Sequence, residues 1–120
     1  MASKNKNIKA QKTDFQKEDF FKKVFKIVAD IPYGKVTTYG EIARAIGLKS
    51  SARMVGWALN TTIGDESLPC HRVINRNGEL TGKRHFRTPT LMRELLENEG
   101  IEFIGEAVKL KNHLWKPSFD

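Results

Sequence analysis

The sequence predicts an α+β domain, mainly helical, organised around a winged-helix-like helix-turn-helix with a small β-hairpin. Three observations carry this expectation. Apolar residues recur at helical spacing in successive short segments. Two of those segments, ending at Ile46 and beginning at Ser50 or Ser51, are joined by a tight turn containing Gly47. The strand-like runs, His71-Arg72-Val73-Ile74 and Ala107 to Leu110, are brief.

The 120 residues suffice for one hydrophobic core and leave no room for two. The first twelve, Met1 to Lys12, hold four lysines and no acid, which predicts a flexible basic arm (1–12) ahead of a single domain (13–120). Thr13 and Gln16 form a capping box, and Phe20, Phe21, Val24, Phe25, Val28 and Ile31 then trace a core helix that stops at Pro32. Pro32-Tyr33-Gly34-Lys35 reads as a turn. Thr38 and Glu41 make a second capping box for a short helix carrying Ile42, Ala45 and Ile46, closed by Gly47.

A third helix, capped by Ser50 or Ser51, runs to Asn60 with Ala52, Val55 and Leu59 on one face. Its other face carries Arg53, Gly56, Trp57 and Asn60. Thr61 to Pro69 is a loop, and the strand-like run from His71 meets a turn at Asn75 to Gly78, where a hairpin is expected. After the basic loop Gly82 to Arg87, Thr88-Pro89 should open a helix through Leu91, Met92, Leu95 and Leu96, closed by Gly100. Trp115 is expected to pack back on the core.

Charge narrows the function. A formal net charge of +7 favours a polyanionic partner, nucleic acid first and an anionic membrane surface second. No apolar run approaches the roughly 20 residues of a membrane span, and the polar start lacks the centre of a signal peptide, so an intracellular protein is expected, neither secreted nor membrane-bound. A single cysteine excludes an internal disulfide and a multi-thiolate metal site, which leaves Cys70 as a buried filler or a reactive thiol.

Within that frame, the outer face of the third helix is the natural DNA face. Gly56 costs about 1 kcal/mol relative to alanine in a helix interior, and it either packs against a neighbouring helix or lets a DNA backbone approach. Arg53 is either a solvated charge or a group able to stack in the space of an extruded base. In Leu68-Pro69-Cys70-His71-Arg72-Val73, a histidine beside a cysteine could accept the thiol proton through water, provided Pro69 bends the chain so that both side chains reach one site. Glu99, in the last turn of its helix, opposes the helix dipole and calls for a compensating partner such as a histidine ring.

The runs Ile31-Pro-Tyr-Gly-Lys-Val-Thr-Thr-Tyr-Gly, Ala52-Arg-Met-Val-Gly, Asn60 and Pro69-Cys-His-Arg-Val resemble the DNA-binding, active-site domain of O6-alkylguanine-DNA alkyltransferases, from about Phe20 to Gly100. The resemblance implies that Cys70 accepts an alkyl group from O6-alkylguanine in double-stranded DNA, that His71 deprotonates it through water, that Glu99 orients His71 and that Asn60 holds the active-site turn. It places Arg53 in the hole left by the flipped nucleotide and Tyr39 at the rotating phosphate, with Ala52 and Gly56 in the minor groove. Thr38, Ser51, Arg72 and Lys83 complete the implied DNA contacts. The transfer needs no cofactor and no metal, happens once per molecule, and is expected of a monomer in the cytoplasm or nucleus.

Two departures qualify the match. The family's amino-terminal companion domain is not seen, and the loop that typically reads Tyr-x-Gly-Gly is here Thr81-Gly82-Lys83-Arg84-His85-Phe86, without a tyrosine. Short relatives, the alkyltransferase-like proteins, lack the cysteine and act as lesion sensors that recruit nucleotide excision repair proteins. That is the second functional expectation, and a plain winged-helix regulator the third.

Overall fold

The computed structural model describes residues 17–47, 50–62 and 65–118, so the basic arm and the Thr13–Gln16 capping box lie outside the described residues. The described chain opens with α1 (residues 17–30), followed by β1 (Thr37–Thr38), α2 (Tyr39–Ile46) and α3 (Ala52–Asn60). A 3-10 turn at Cys70–Arg72 leads into β2 (Val73–Ile74), and a second at Lys83–His85 precedes α4 (Leu91–Asn98). β3 (Phe103–Ile104), β4 (Ala107–Val108) and α5 (Leu110–His113) complete the order.

Helical spacing becomes packing in α1, where Val24, Ile27 and Val28 are buried together with Ile31 just beyond its end. They meet Ile42 and Ala43 of α2, Val55 and Ala58 of α3 and Val73 of β2 in one cluster. Val36, Ile74, Met92, Leu96, Ile101 and Val108 form a second. Adjacent strand residues point to opposite faces, so Val73 enters the first cluster and Ile74 the second, and the β1–β2 pair separates the two.

The caps behave largely as their chemistry dictates. Thr38 Oγ1 accepts from the Glu41 amide at 3.0 Å, but the Glu41 carboxylate turns to Arg44 at 2.8 Å instead of completing a box. Ser51, not Ser50, caps α3 by accepting from the Met54 amide, while the Ser50 hydroxyl donates to the Ala43 carbonyl at 2.6 Å and ties the turn back to α2. Gly47 closes α2 with its N–H on the Ala43 carbonyl.

Four expectations need correction. β2 pairs in parallel with β1, Thr37 against Val73, so no hairpin forms at Asn75–Gly78; the antiparallel hairpin is β3–β4, with Phe103 opposite Val108. The Pro69 bend spends Cys70–Arg72 on a 3-10 turn and shortens the strand to Val73–Ile74. Thr88-Pro89 does not start α4: Thr88 and Pro89 lie in a bend and turn, and the helix begins at Leu91. On α3 the buried residues are Val55 and Ala58, and Ala52, which spacing groups with Val55 and Leu59, is exposed. A short helix, α5, was not expected; its His113 Nε2 accepts from the Glu102 amide at 3.0 Å, and the Trp115 amide donates to Val36 at 2.7 Å, which packs the tail against the core as anticipated. Among the described residues, no helix is long and apolar enough to cross a membrane.

Candidate functional site

Pro69 (φ −78°, ψ 60°) ends the loop and starts the 3-10 turn, so Cys70 and His71 sit on a tight bend rather than on opposite faces of a strand. Cys70 is half-buried against the first core cluster, with Sγ 3.4 Å from Thr62 Oγ1. Burial pushes its thiol up; the Thr62 hydroxyl pulls it down and the Asp65 carboxylate pushes it up, each to a smaller degree. The Thr62 hydroxyl also lies 2.7 Å from the Leu59 carbonyl, so it favours a thiolate only when its proton turns from that carbonyl to the sulfur.

Tyr39, expected at a phosphate, leans inward over the loop that lacks the family's tyrosine. A Cβ on Gly82 would lie 3.3 Å from its hydroxyl. Burial raises the Tyr39 phenol, the Thr81 side chain opposes this, and the proximity of Cys70 adds to it. Thr81, Gly82, Tyr39, Thr62 and Cys70 thus share one locality.

Glu99 is the hub of the second group. Its carboxylate, only 6% exposed, takes His71 Nε2 at 2.7 Å, Arg72 Nε at 2.9 Å and the Gly34 amide at 2.8 Å. Burial acts to raise its pKa, but Arg72, the Gly34 amide and His71 outweigh burial and hold the carboxyl below its ordinary range. With Glu99 ionised, His71 donates from Nε2 and keeps Nδ1 as the ring nitrogen able to accept a proton. Arg72 shares the same Oε2 at 2.9 Å, so part of the carboxylate charge is already neutralised before the imidazole feels it.

The turn Pro32–Lys35 supplies the remaining ties, with the Tyr33 hydroxyl donating to the Asn98 carbonyl at 3.0 Å and its ring 5.7 Å from the Arg72 guanidinium. Gly34 adopts φ +82°, which turns its amide toward Glu99. The partner that Glu99 calls for is His71, as the sequence suggests. Gly34 and Thr62 carry no such signal, and Arg72, assigned to DNA by the resemblance, joins Glu99 through a contact distant in sequence.

The DNA-facing residues divide. Arg53, Ala52 and Asn60 are exposed on α3 and Ser51 at its cap, Lys83 is exposed on its 3-10 turn, and a Cβ placed on Gly56 would meet nothing within 4 Å, so no neighbouring helix explains that glycine. Arg53 lies 5.3 Å over the Trp57 ring. Two expected contacts point inward instead. Arg72, besides Glu99, donates to the Ile31 carbonyl at 2.8 Å and is spent on the interior. Thr38 is 6% exposed with its hydroxyl committed to capping α2. Asn60 stands at the exposed end of α3, and among the described residues the side chain in hydrogen-bond contact with the Cys70 sulfur is Thr62. Among the described residues, no group of three His, Cys, Asp or Glu side chains could hold a metal ion.

Comparison with known proteins gives a consistent picture. Residues 19–101 match the family described as 6-O-methylguanine DNA methyltransferase, DNA binding domain. The alkyltransferase-like protein 1 of Schizosaccharomyces pombe is 40% identical over 105 residues, covering 83% of this chain and 97% of that protein. A DNA base-flipping protein of Escherichia coli is 39% identical over 109 residues, covering 88% of this chain and 81% of that protein. The crystal structure of the S. pombe alkyltransferase-like protein in complex with damaged DNA containing O6-carboxymethylguanine superposes with a TM-score of 0.69 at 40% identity, over 83% of this chain and 97% of that one.

Proposed function

The chain belongs to the 6-O-methylguanine DNA methyltransferase DNA-binding domain family, and from that membership we propose that it binds double-stranded DNA carrying O6-alkylguanine and extrudes the damaged base toward Cys70. The outer face of α3 enters the minor groove, where Gly56 lets the backbone approach, Arg53 fills the vacated position and Lys83 adds a phosphate contact. The transfer reaction follows from the residues at the bend. His71 Nδ1 takes the Cys70 proton through water, the thiolate attacks the alkyl carbon, and the carbon–sulfur bond forms as the carbon–O6 bond breaks; the electron pair of that bond stays on the base, and guanine is restored when it takes a proton from water at N1, while His71 returns its own proton to solvent. Glu99 positions His71 throughout. The observation that supports this reading most is the 2.7 Å contact between His71 and Glu99 beside a half-buried cysteine.

A second reading has its own support. Burial raises the Cys70 thiol, Arg72 shares the Glu99 charge, and the first relatives named above are an alkyltransferase-like and a base-flipping protein. On that reading the chain recognises the lesion, leaves it unchanged and recruits nucleotide excision repair proteins. Intact mass measured after incubation with an O6-methylguanine duplex separates the two. A gain of one methyl group that disappears in Cys70→Ala supports transfer, whereas a gel shift without mass change supports the sensor. No preference for the lesion duplex over undamaged DNA overturns both.

A further inference from the structure

Trp57 is 51% exposed on α3, although tryptophan is the bulkiest apolar side chain the sequence can use and this chain has only one other. Its helix neighbours Val55 and Ala58 are buried in the core, so the indole is directed away from it. One turn earlier lies Arg53, whose guanidinium rests 5.3 Å over the indole; among the described residues no acid forms an ion pair with it. Beside both is Gly56, where an added Cβ would meet nothing within 4 Å. A cation without a counter-charge, a broad apolar plane and an open backbone therefore share one exposed face of a chain with net charge +7.

Building on the DNA-binding reading above, we propose that Trp57 is a lesion-positioning residue: its indole lies against the sugar edges of the minor groove flanking the extruded nucleotide. In the free protein it holds the Arg53 guanidinium over its ring. The pair suits a bent minor groove, where apolar side chains rest on unstacked steps and arginine meets the negative potential. With DNA bound, Arg53 leaves the ring for the vacated base position, and the indole face it uncovers is taken by deoxyribose. Burying that face repays the exposure of the indole in the free protein. The contact is sequence-tolerant, because every nucleotide presents a sugar.

Fluorescence tests this directly, since Trp115 is the second tryptophan and packs on the core. In the Trp115→Phe protein, an O6-methylguanine duplex should quench and shift the Trp57 emission at the same concentrations at which a mobility shift appears. Trp57→Ala should lose about tenfold in affinity for the lesion duplex, the loss expected when one apolar indole face is no longer buried against the sugars, while Trp57→Phe keeps most of it. The melting temperature of Trp57→Ala should stay near that of the parent, which removes misfolding as a cause. Unchanged Trp57 emission at saturating DNA, or wild-type affinity in Trp57→Ala, overturns the role of Trp57 and leaves lesion binding standing. A wild-type protein that fails to shift the lesion duplex at all overturns both.

Discussion

His71 Nε2 and Glu99 Oε2 stand 2.7 Å apart across 28 residues of sequence, and the same carboxylate is held by Arg72 and the Gly34 amide. The contact therefore joins the 3-10 turn after Pro69, the end of α4 and the turn before β1. Whatever His71 does to the neighbouring thiol, it does from a position fixed by three separate segments.

Glu99→Gln should cost about 3 kcal/mol of stability, because it leaves the 15%-exposed Arg72 without its carboxylate. The pH dependence has a definite sign. A carboxyl whose folded-state pKa is depressed contributes stability that is complete above its ordinary value of 4.5 and is lost as pH falls through the folded value. The difference between parent and Glu99→Gln in urea unfolding should thus be greatest near neutrality and shrink in acid. Parallel curves over the whole acid range would show that the carboxylate is not the stabilising group.

Thr62→Ala should make Cys70 react more slowly with iodoacetamide and move the pH midpoint of that reaction upward, since it removes the hydroxyl that, among the described residues, can favour the thiolate. Thr62→Ser should keep the parent profile. A midpoint unmoved by Thr62→Ala would mean that the hydroxyl keeps donating to the Leu59 carbonyl, 2.7 Å away.

Arg53→Ala and Lys83→Ala should fail in different ways, although both side chains are exposed. Loss of Arg53 should erase most of the preference for O6-methylguanine duplex over undamaged duplex. Loss of Lys83 should weaken both duplexes alike and reduce the salt slope by about one. Equal losses of preference from the two variants would contradict insertion of Arg53 into the stack.

The cores of α1 to α4 were legible in the sequence because apolar spacing is local, whereas the four-residue α5 is too short to show a period. Ile42, Val55, Met92 and Leu96 all point where periodicity sends them. Strand pairing was not legible: Val73-Ile74 reads as strand from its own residues, but its parallel partner Thr37-Thr38 lies far upstream with no turn to announce it. The site was legible in its residue types and opaque in its wiring. Arg72 reads as a surface cation beside His71, and only the approach of Glu99 and the Ile31 carbonyl turns it inward. Tyr39 likewise reads as a helix-start aromatic until the Thr81-Gly82 loop closes over its hydroxyl.

Two glycines should respond to alanine with opposite signs. At Gly78 (φ +81°) a Cβ would lie 2.6 Å from the Val108 carbonyl oxygen, and the Val108 amide already donates to the Gly78 carbonyl at 2.8 Å. Gly78→Ala must push the two backbones apart as well as strain its own, so a loss of about 3 kcal/mol is expected in thermal unfolding. At Gly56 a Cβ meets nothing within 4 Å and the backbone is helical, so Gly56→Ala should stabilise the free protein by roughly 0.5 to 1 kcal/mol through helix propensity alone. The same methyl group should weaken binding to the lesion duplex, because it occupies the space through which a DNA backbone would approach Arg53 and Trp57. A Gly56→Ala protein that gains stability and binds as tightly as the parent would show that this face of α3 does not touch DNA.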